Sequence, residues 1–391
     1  MNSEAKTVLI VDDEPANIQI VNSILKDVYK TRIATSGAKA LDLANQVPAP
    51  DLILLDVMMP EMNGYEVCSH LKSADHTRDI PVIFLTGQTD IDDETKGFEV
   101  GAVDYIHKPF SPAVVQARVR THLVLRGIRE QLASQLQSIQ SEMDTARKIQ
   151  LSILPREIPA IKGLDIAARY VPMTAVAGDF YDFIPIDEKR IGILVADVSG
   201  HGMPAALISS MLKIALDSQT AHALEPAQVL AGLNRVLCGK FQGHFVTAVY
   251  VVVDTENRKL RYAGAGHPPV ILRDHSAGET HNFVENGLFL GLFPEATYTS
   301  IELPFNAGDW GLLYTDGILE MTNPSEEEFG VDRCKEFLQA NYGLSAGKFV
   351  DALLDKLSQW SELASGREPE DDVTLLAFHF EDPTGLAASK L

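Results

Sequence analysis

Between residues 7 and 125 the chain alternates short, unbroken apolar runs with stretches of helical period. The runs are Val8–Val11, Leu52–Leu55, Val82–Leu85 and the weaker Tyr105–Ile106, with Ile33–Ala34 as a fifth candidate strand. Unbroken apolar runs mark strands buried on both faces, and their alternation with helices predicts parallel βαβ units. The expectation over residues 6–125 is a doubly wound α/β domain, whose ligands bind beyond the carboxyl ends of its strands.

Residues 113–153 break that pattern. Apolar positions recur at Leu125, Ile128, Leu132, Leu136, Ile139, Met143, Ala146, Ile149 and Ile153, with Gln and Ser between them. After Leu132 the spacings are 4, 3, 4, 3, 3 and 4, close to a heptad seam. This predicts a helical linker, assigned to 126–153, that pairs as a coiled coil with a second copy of the chain; Pro155 and Pro159 end it. From residue 160 to 381 the apolar runs Ile191–Val195, Phe245–Val253, Lys259–Ala263, Val270–Leu272, Trp310–Tyr314 and Val373–Phe380 are separated by turns. Helical periods lie at 204–219, 225–239, 331–342 and 345–364. Strand pairs followed by helix pairs predict an α+β sandwich, α-β-β-α, with sheets inside.

A length of 391 residues fits two or three domains. Lys and Arg number 33 against 54 Asp and Glu, a net charge of −21. Such a chain is a poor electrostatic partner for nucleic acid or an anionic membrane. It also has no basic helix or helix-turn-helix segment to make it a transcription factor. The longest apolar runs are too short to span a bilayer, and MNSEAK lacks the halves of a signal peptide. Cys68, Cys238 and Cys334 lie far apart, which fits small core residues in a reducing cytoplasm. The expected location is therefore cytoplasmic. The carboxylate excess reads either as a self-repelling soluble surface or as carboxylates gathered to hold hard cations. Aspartates at the ends of apolar strands would decide for the second.

They are there. Asp12 and Asp13 follow Val8–Val11, Asp56 follows Leu52–Leu55, Thr86 follows Val82–Leu85, and Lys108 follows Tyr105–Ile106. Three carboxylates gathered at one sheet edge repel unless a divalent cation neutralises them. With Mg²⁺ bound, a carboxylate can attack a phosphoryl group while lysine and threonine steady its oxygens. VDD, LLDVMMPEMNG, FLTG and DYIHKPF resemble the receiver domain of bacterial response regulators, a flavodoxin-like fold. The resemblance implies Asp56 as phosphoacceptor, and Asp12, Asp13 and Asp56 with the Met58 carbonyl around Mg²⁺. It further implies Thr86 and Tyr105 as the switch pair, Lys108 as the phosphate contact and a cis peptide before Pro109.

The second half repeats the theme. AGDFYD carries Asp179 and Asp182; ILVADVSGHG and LLYTDGILE place Asp197 and Asp316 at strand ends; EPEDDVTLLAF puts Asp371 and Asp372 just before a strand. Ile193, Val195 and Asp197 share one strand face, as do Leu312, Tyr314 and Asp316. An aspartate on a buried face is costly unless paired or metal-bound, and Mg²⁺ or Mn²⁺ suits it. Two such ions can activate water for in-line attack on a phosphate ester. His201 reads as a turn residue near the site, with metal ligand or general acid as the alternative. The set AGDFYD, DVSGHG, GAGHPP, TDGILE and DDVTLL resembles the metal-dependent PPM-type protein serine/threonine phosphatases, in the bacterial branch of the stage II sporulation phosphatase, as does ARKIQLSILP before it. The resemblance implies Asp179, Asp197, Asp316, Asp371 and the Val198 carbonyl as ligands of two Mn²⁺ or Mg²⁺, with Asp372 beside them. Where eukaryotic relatives carry an arginine, Thr174 stands.

The combined expectation is a response regulator whose phosphorylation at Asp56, by a histidine kinase or phosphotransfer protein, controls a phosphatase. By resemblance its substrate is a phosphorylated anti-sigma-factor antagonist. The alternative is a sigma-factor adaptor whose phosphatase-like domain serves as a scaffold. A scaffold has no need of buried aspartates, and all four strand-end aspartates remain.

Overall fold

The computed structural model describes residues 5–87, 96–241, 243–284, 286–362 and 371–381. The chain forms two compact units, Met1–Ile139 and Gln140–Leu391. The division falls inside a single helix, Pro112–Ile153.

In the first unit β1 (Thr7–Val11), β2 (Lys30–Ala34), β3 (Leu52–Asp56), β4 (Val82–Thr86) and β5 (Asp104–His107) form a parallel sheet in the order β2-β1-β3-β4-β5. Strands β3 and β4 are buried at every position, because helices cover both faces. On one face Ile18, Val21 and Leu25 of helix Pro15–Leu25 and Val115 and Val119 of the long helix pack on Val8, Ile10 and Leu54. On the other, Ala40, Val67, Cys68 and Leu71 pack on Leu9, Val11 and Leu55. With β2 and β3 on opposite sides of β1, the strand order reverses there. The crevice opens at the carboxyl ends of β1 and β3.

The second unit has β6 (Leu164–Val171), β7 (Phe180–Pro185), β8 (Arg190–Val198), β9 (Val246–Asp254), β10 (Lys259–Ala265), β11 (Val270–Asp274), β12 (Glu279–Phe283), β13 (Asn286–Gly287), β14 (Ile301–Pro304), β15 (Trp310–Tyr314) and β16 (Val373–Phe380). One sheet runs β13-β10-β9-β8-β7, with β14 also on β10; the other runs β12-β11-β15-β16-β6. Along β8, Ile193 and Val195 face the second sheet, meeting Leu313, Leu376 and Phe378 in a shared core. Leu194 and Ala196 face helices Met203–Asp217 and Pro226–Leu237. Helices Gly330–Asn341 and Ala346–Trp360 cover the other sheet over Leu312, Tyr314 and Leu375. The period-two alternation thus serves two cores at once and yields the α-β-β-α sandwich.

The long helix carries its apolar stripe unburied. Leu132, Leu136 and Ile139 are 53%, 57% and 53% exposed. Single exposed leucines are ordinary, but a stripe at heptad spacing is a helix face without its partner. Among the described residues no helix is long and apolar enough to cross a membrane. All three cysteines are free thiols.

Candidate functional site

In the first unit, β1 delivers Asp12 and Asp13 and β3 ends in Asp56. Their carboxylate oxygens lie within 4.8 Å of one another, and among the described residues no other three acidic, His or Cys ligands approach so closely. Lys108, carried just past β5, places its ammonium 2.9 Å from Asp12 Oδ2 and 3.0 Å from Asp56 Oδ2. The Lys108 backbone N–H donates to the Thr86 carbonyl at 2.7 Å, which fixes its approach, and the Lys108–Pro109 peptide is cis. The Asp12 carboxylate is held by the Glu14 N–H at 2.9 Å and the Asn17 amide at 3.1 Å. Burial raises the Asp56 carboxyl above its ordinary range; the Lys108 hydrogen bond opposes this and the Asp12 charge adds to it. Burial works against the Lys108 charge, but its hydrogen bonds to Asp12 and Asp56 prevail and raise its pKa. Two unit charges ~5 Å apart in an effective dielectric of ~20 repel by about 3 kcal/mol. One ammonium cannot neutralise three carboxylates at that range, so the donor set fits a hard divalent cation. Thr86 is buried at the end of β4, and Tyr105 lies on β5 with Arg118 over its ring. The Met58 backbone N–H bonds Asp56.

In the second unit Asp179 precedes β7, Asp197 lies near the end of β8, Asp316 opens a short helix after β15, and Asp371 precedes β16. Asp197 is pushed up to about 7, first by burial and then by the charges of Asp316, Asp371 and Asp372, against a hydrogen bond to Asp179. Burial, then the Asp197 charge, raises Asp179 well above the carboxylate range. Burial and Asp371 raise Asp316. Burial and neighbouring carboxylates are thus the leading influences that raise all three. Like charges gathered in a buried and half-buried group fit bound hard cations. Close backbone approach assembles the group. A Cβ on Gly178 would sit 2.8 Å from the Val198 carbonyl oxygen, and one on Gly317 would sit 2.0 Å from that of Asp372. Only glycine lets these strand ends meet.

Other expected site residues take different places. Asp182 is drawn into an ion pair with Lys213 at 2.7 Å, which also binds Asp217, so it is not brought to the group. Asp372 uses its two oxygens on the Met173 and Gly178 N–H groups, both at 2.7 Å, and so braces the loop that carries Asp179. His201 is exposed in the turn after β8. His267 of GAGHPP is buried and hydrogen-bonded to Thr247; burial lowers its pKa to about 3, so it stays neutral.

Four residues escape sequence reasoning. Thr315 and Thr374 donate to Asp179. Glu320 lines a cavity of about 100 Å³ with Gly317, Met321 and Asp371, and burial and the charges of Asp316 and Asp371 raise its carboxyl. Gln150, on the long helix, grips the Ala177 backbone: its Nε2 donates to the carbonyl at 2.6 Å and its Oε1 accepts the N–H at 3.0 Å. Nε2 also reaches Ser209 at 3.1 Å. The signal for Gln150 was a lone amide one position from an apolar stripe, which reads as surface.

Residues 187–381 match the family described as Stage II sporulation protein E (SpoIIE), and residues 8–120 match the response regulator receiver domain. Phosphoserine phosphatase RsbU of Bacillus subtilis is 31% identical over 258 residues, 65% of this chain and 72% of that protein. A probable cyclic di-GMP phosphodiesterase of Vibrio cholerae is 46% identical over 137 residues, 35% of this chain and 31% of that one. The chain therefore spans about a third of one of these relatives and nearly three quarters of the other. Among solved structures, the SiaA-PP2C domain of Pseudomonas aeruginosa superposes with a TM-score of 0.57 at 26% identity, covering 64% of this chain and all of that one. Two strand-end acidic sites, one before and one after the long helix in the sequence, thus coincide with two family matches: the chain belongs to the SpoIIE-type phosphatase family, joined here to a response regulator receiver domain.

Proposed function

We propose that phosphorylation of Asp56 controls a metal-dependent protein serine/threonine phosphatase in the second unit. The observation that carries this reading is the group Asp179, Asp197 and Asp316, one buried and two half-buried, whose carboxyls are raised first by burial and then by neighbouring carboxylates. A scaffold would have no reason to bear its cost.

In the receiver, the Asp56 carboxylate attacks the phosphoryl group of a histidine kinase or phosphotransfer donor. The P–N bond breaks as the acyl phosphate forms. Asp12, Asp13 and the Met58 carbonyl would hold Mg²⁺ beside it. Lys108, already 3.0 Å from Asp56, presents its charge to the transferred oxygens. The Thr86 hydroxyl and Tyr105 would follow as the switch pair.

In the phosphatase, Asp179, Asp197, Asp316, Asp371 and the Val198 carbonyl would hold two Mn²⁺ or Mg²⁺. Those ions would supply positive charge to the phosphate ester and an activated water. The chain's own part is to fix the ligands: Asp372 braces the Asp179 loop, and Gly317 admits the Asp372 backbone. The similarity to phosphoserine phosphatase RsbU supports phosphoserine as the group hydrolysed; by the resemblance of its motifs, the substrate is an anti-sigma-factor antagonist phosphorylated on serine or threonine.

The two activities meet on one helix, Pro112–Ile153. Exposed Leu132, Leu136 and Ile139, with half-buried Met143 next in the stripe, support a homodimer paired along it. Lys at both Leu136 and Ile139 would bury charge in that seam. The double variant is expected to run as a folded monomer by light scattering, with a phosphatase rate that no longer responds to acetyl phosphate. A dimer that persists would leave the seam without a role. Gln150 is where the helix grips the Asp179 loop. In Gln150→Ala two buried backbone groups lose their partner. Basal phosphate release and its response to Asp56 phosphorylation should both fall, about tenfold by the measure of outer-shell partners of metal ligands. A response of wild-type size in that variant would mean the signal reaches the site by another route.

A further inference from the structure

Asp179 is 2% exposed, and two hydroxyl groups converge on one of its oxygens. Thr315 Oγ1 donates to Oδ2 at 2.7 Å and Thr374 Oγ1 donates to the same Oδ2 at 2.6 Å. Both threonines are fully buried. They come from different elements: Thr315 follows β15, and Thr374 is the second residue of β16. The two are also locked to each other. The Thr374 N–H donates to Thr315 Oγ1 at 2.9 Å, and the Thr315 N–H donates to the Thr374 carbonyl at 3.1 Å.

Proton bookkeeping gives this network a direction. A hydroxyl has one proton. Thr315 Oγ1 receives the Thr374 N–H, so its own proton goes to Asp179; the Thr374 proton goes there too. An oxygen that accepts two O–H bonds has both lone pairs engaged. The carboxylate plane is therefore fixed by two donors anchored on neighbouring strands, and Oδ1 is the oxygen left for a cation. Structural packing alone would be met by valine, which has the same shape and no buried hydroxyl. Hydroxyls at both positions, spent on one oxygen of one aspartate, call for a function of that aspartate.

We propose that Thr315 and Thr374 are positioning residues that hold the Asp179 carboxylate in one orientation and thereby set the affinity of the phosphatase site for divalent cation. This rests on the reading of Asp179 as a metal ligand. Threonine in TDG and DDVT otherwise passes as an ordinary strand residue.

The test is a Mn²⁺ titration of the full chain, read by electron paramagnetic resonance of free Mn²⁺. All proteins carry Asp12→Asn and Asp13→Asn, so that the receiver triad contributes no binding. Outer-shell partners of metal ligands are worth about 10–100-fold in metal affinity. Thr374→Val should therefore raise the half-saturating Mn²⁺ concentration by about tenfold or more. Thr374→Ser, which restores the hydroxyl, should bind as the parent does. Where valine unfolds the domain, Thr374→Cys, a much weaker donor of similar size, takes its place. Parent-like affinity in folded Thr374→Val, with binding lost in Asp179→Ala, would overturn the proposal while leaving Asp179 a ligand. Parent-like affinity in Asp179→Ala would overturn both. A serine variant as weak as the valine variant would also count against it, because packing rather than the hydroxyl would then be responsible.

Discussion

Asp197→Ala and Asp316→Ala should each reduce phosphate release from a phosphoserine protein to below about a hundredth of the wild-type rate, since losing a ligand exceeds the roughly 10–100-fold cost of losing an outer-shell partner. Neither variant should unfold. Both residues sit in a group where burial and neighbouring charges disfavour ionisation, so removing one relieves repulsion. The expected pattern is an unchanged or raised melting temperature with activity gone. Chelation with EDTA should stop the wild type and Mn²⁺ should restore it. Full phosphatase activity in either variant, or in EDTA, would exclude these carboxylates as the metal site.

Asp56→Ala should take up no label from acetyl phosphate. The expected effect is all or none because the carboxylate is itself the proposed acceptor. Asp12 is held by Lys108, Glu14 and Asn17, and so is committed to a supporting place. Phosphate analysis of the intact protein after incubation with acetyl phosphate reads this directly. Stable acyl-phosphate labelling of Asp56→Ala would move the acceptor elsewhere.

How much of this was legible beforehand depended on where each strand lies in its sheet. The central strands of both units announced themselves as apolar runs: β9 is buried at all nine positions. The strands that sequence reading passed over, β6, β7, β12, β13 and β14, lie at sheet edges or off the main path. Edge strands carry polar residues on purpose, as in ETHNF of β12, and so lose the pattern that reveals them. The strand-end aspartates were legible for the opposite reason. A carboxylate ending an apolar run is costly enough to stand out. Their supports were not, because Thr315, Thr374 and Gln150 are residues of neutral cost whose roles depend on contacts across 136, 195 and 27 positions. Asp182 and Asp372 were readable as acids near the site. Whether each faces Lys213, a backbone N–H or the ligand group is a matter of rotamer and register, which spacing alone does not fix.

On the proposed function the receiver governs the phosphatase, and a few kcal/mol from an acyl phosphate suffices to bias a two-state element. The most direct measurement compares phosphate release from one phosphoserine protein substrate, at saturating Mn²⁺, by the wild type and Asp56→Ala, each with and without acetyl phosphate. Acetyl phosphate should shift the wild-type rate several-fold and leave Asp56→Ala at its basal rate. Equal wild-type rates in both conditions, with Asp56 shown to be phosphorylated, would contradict the proposed function.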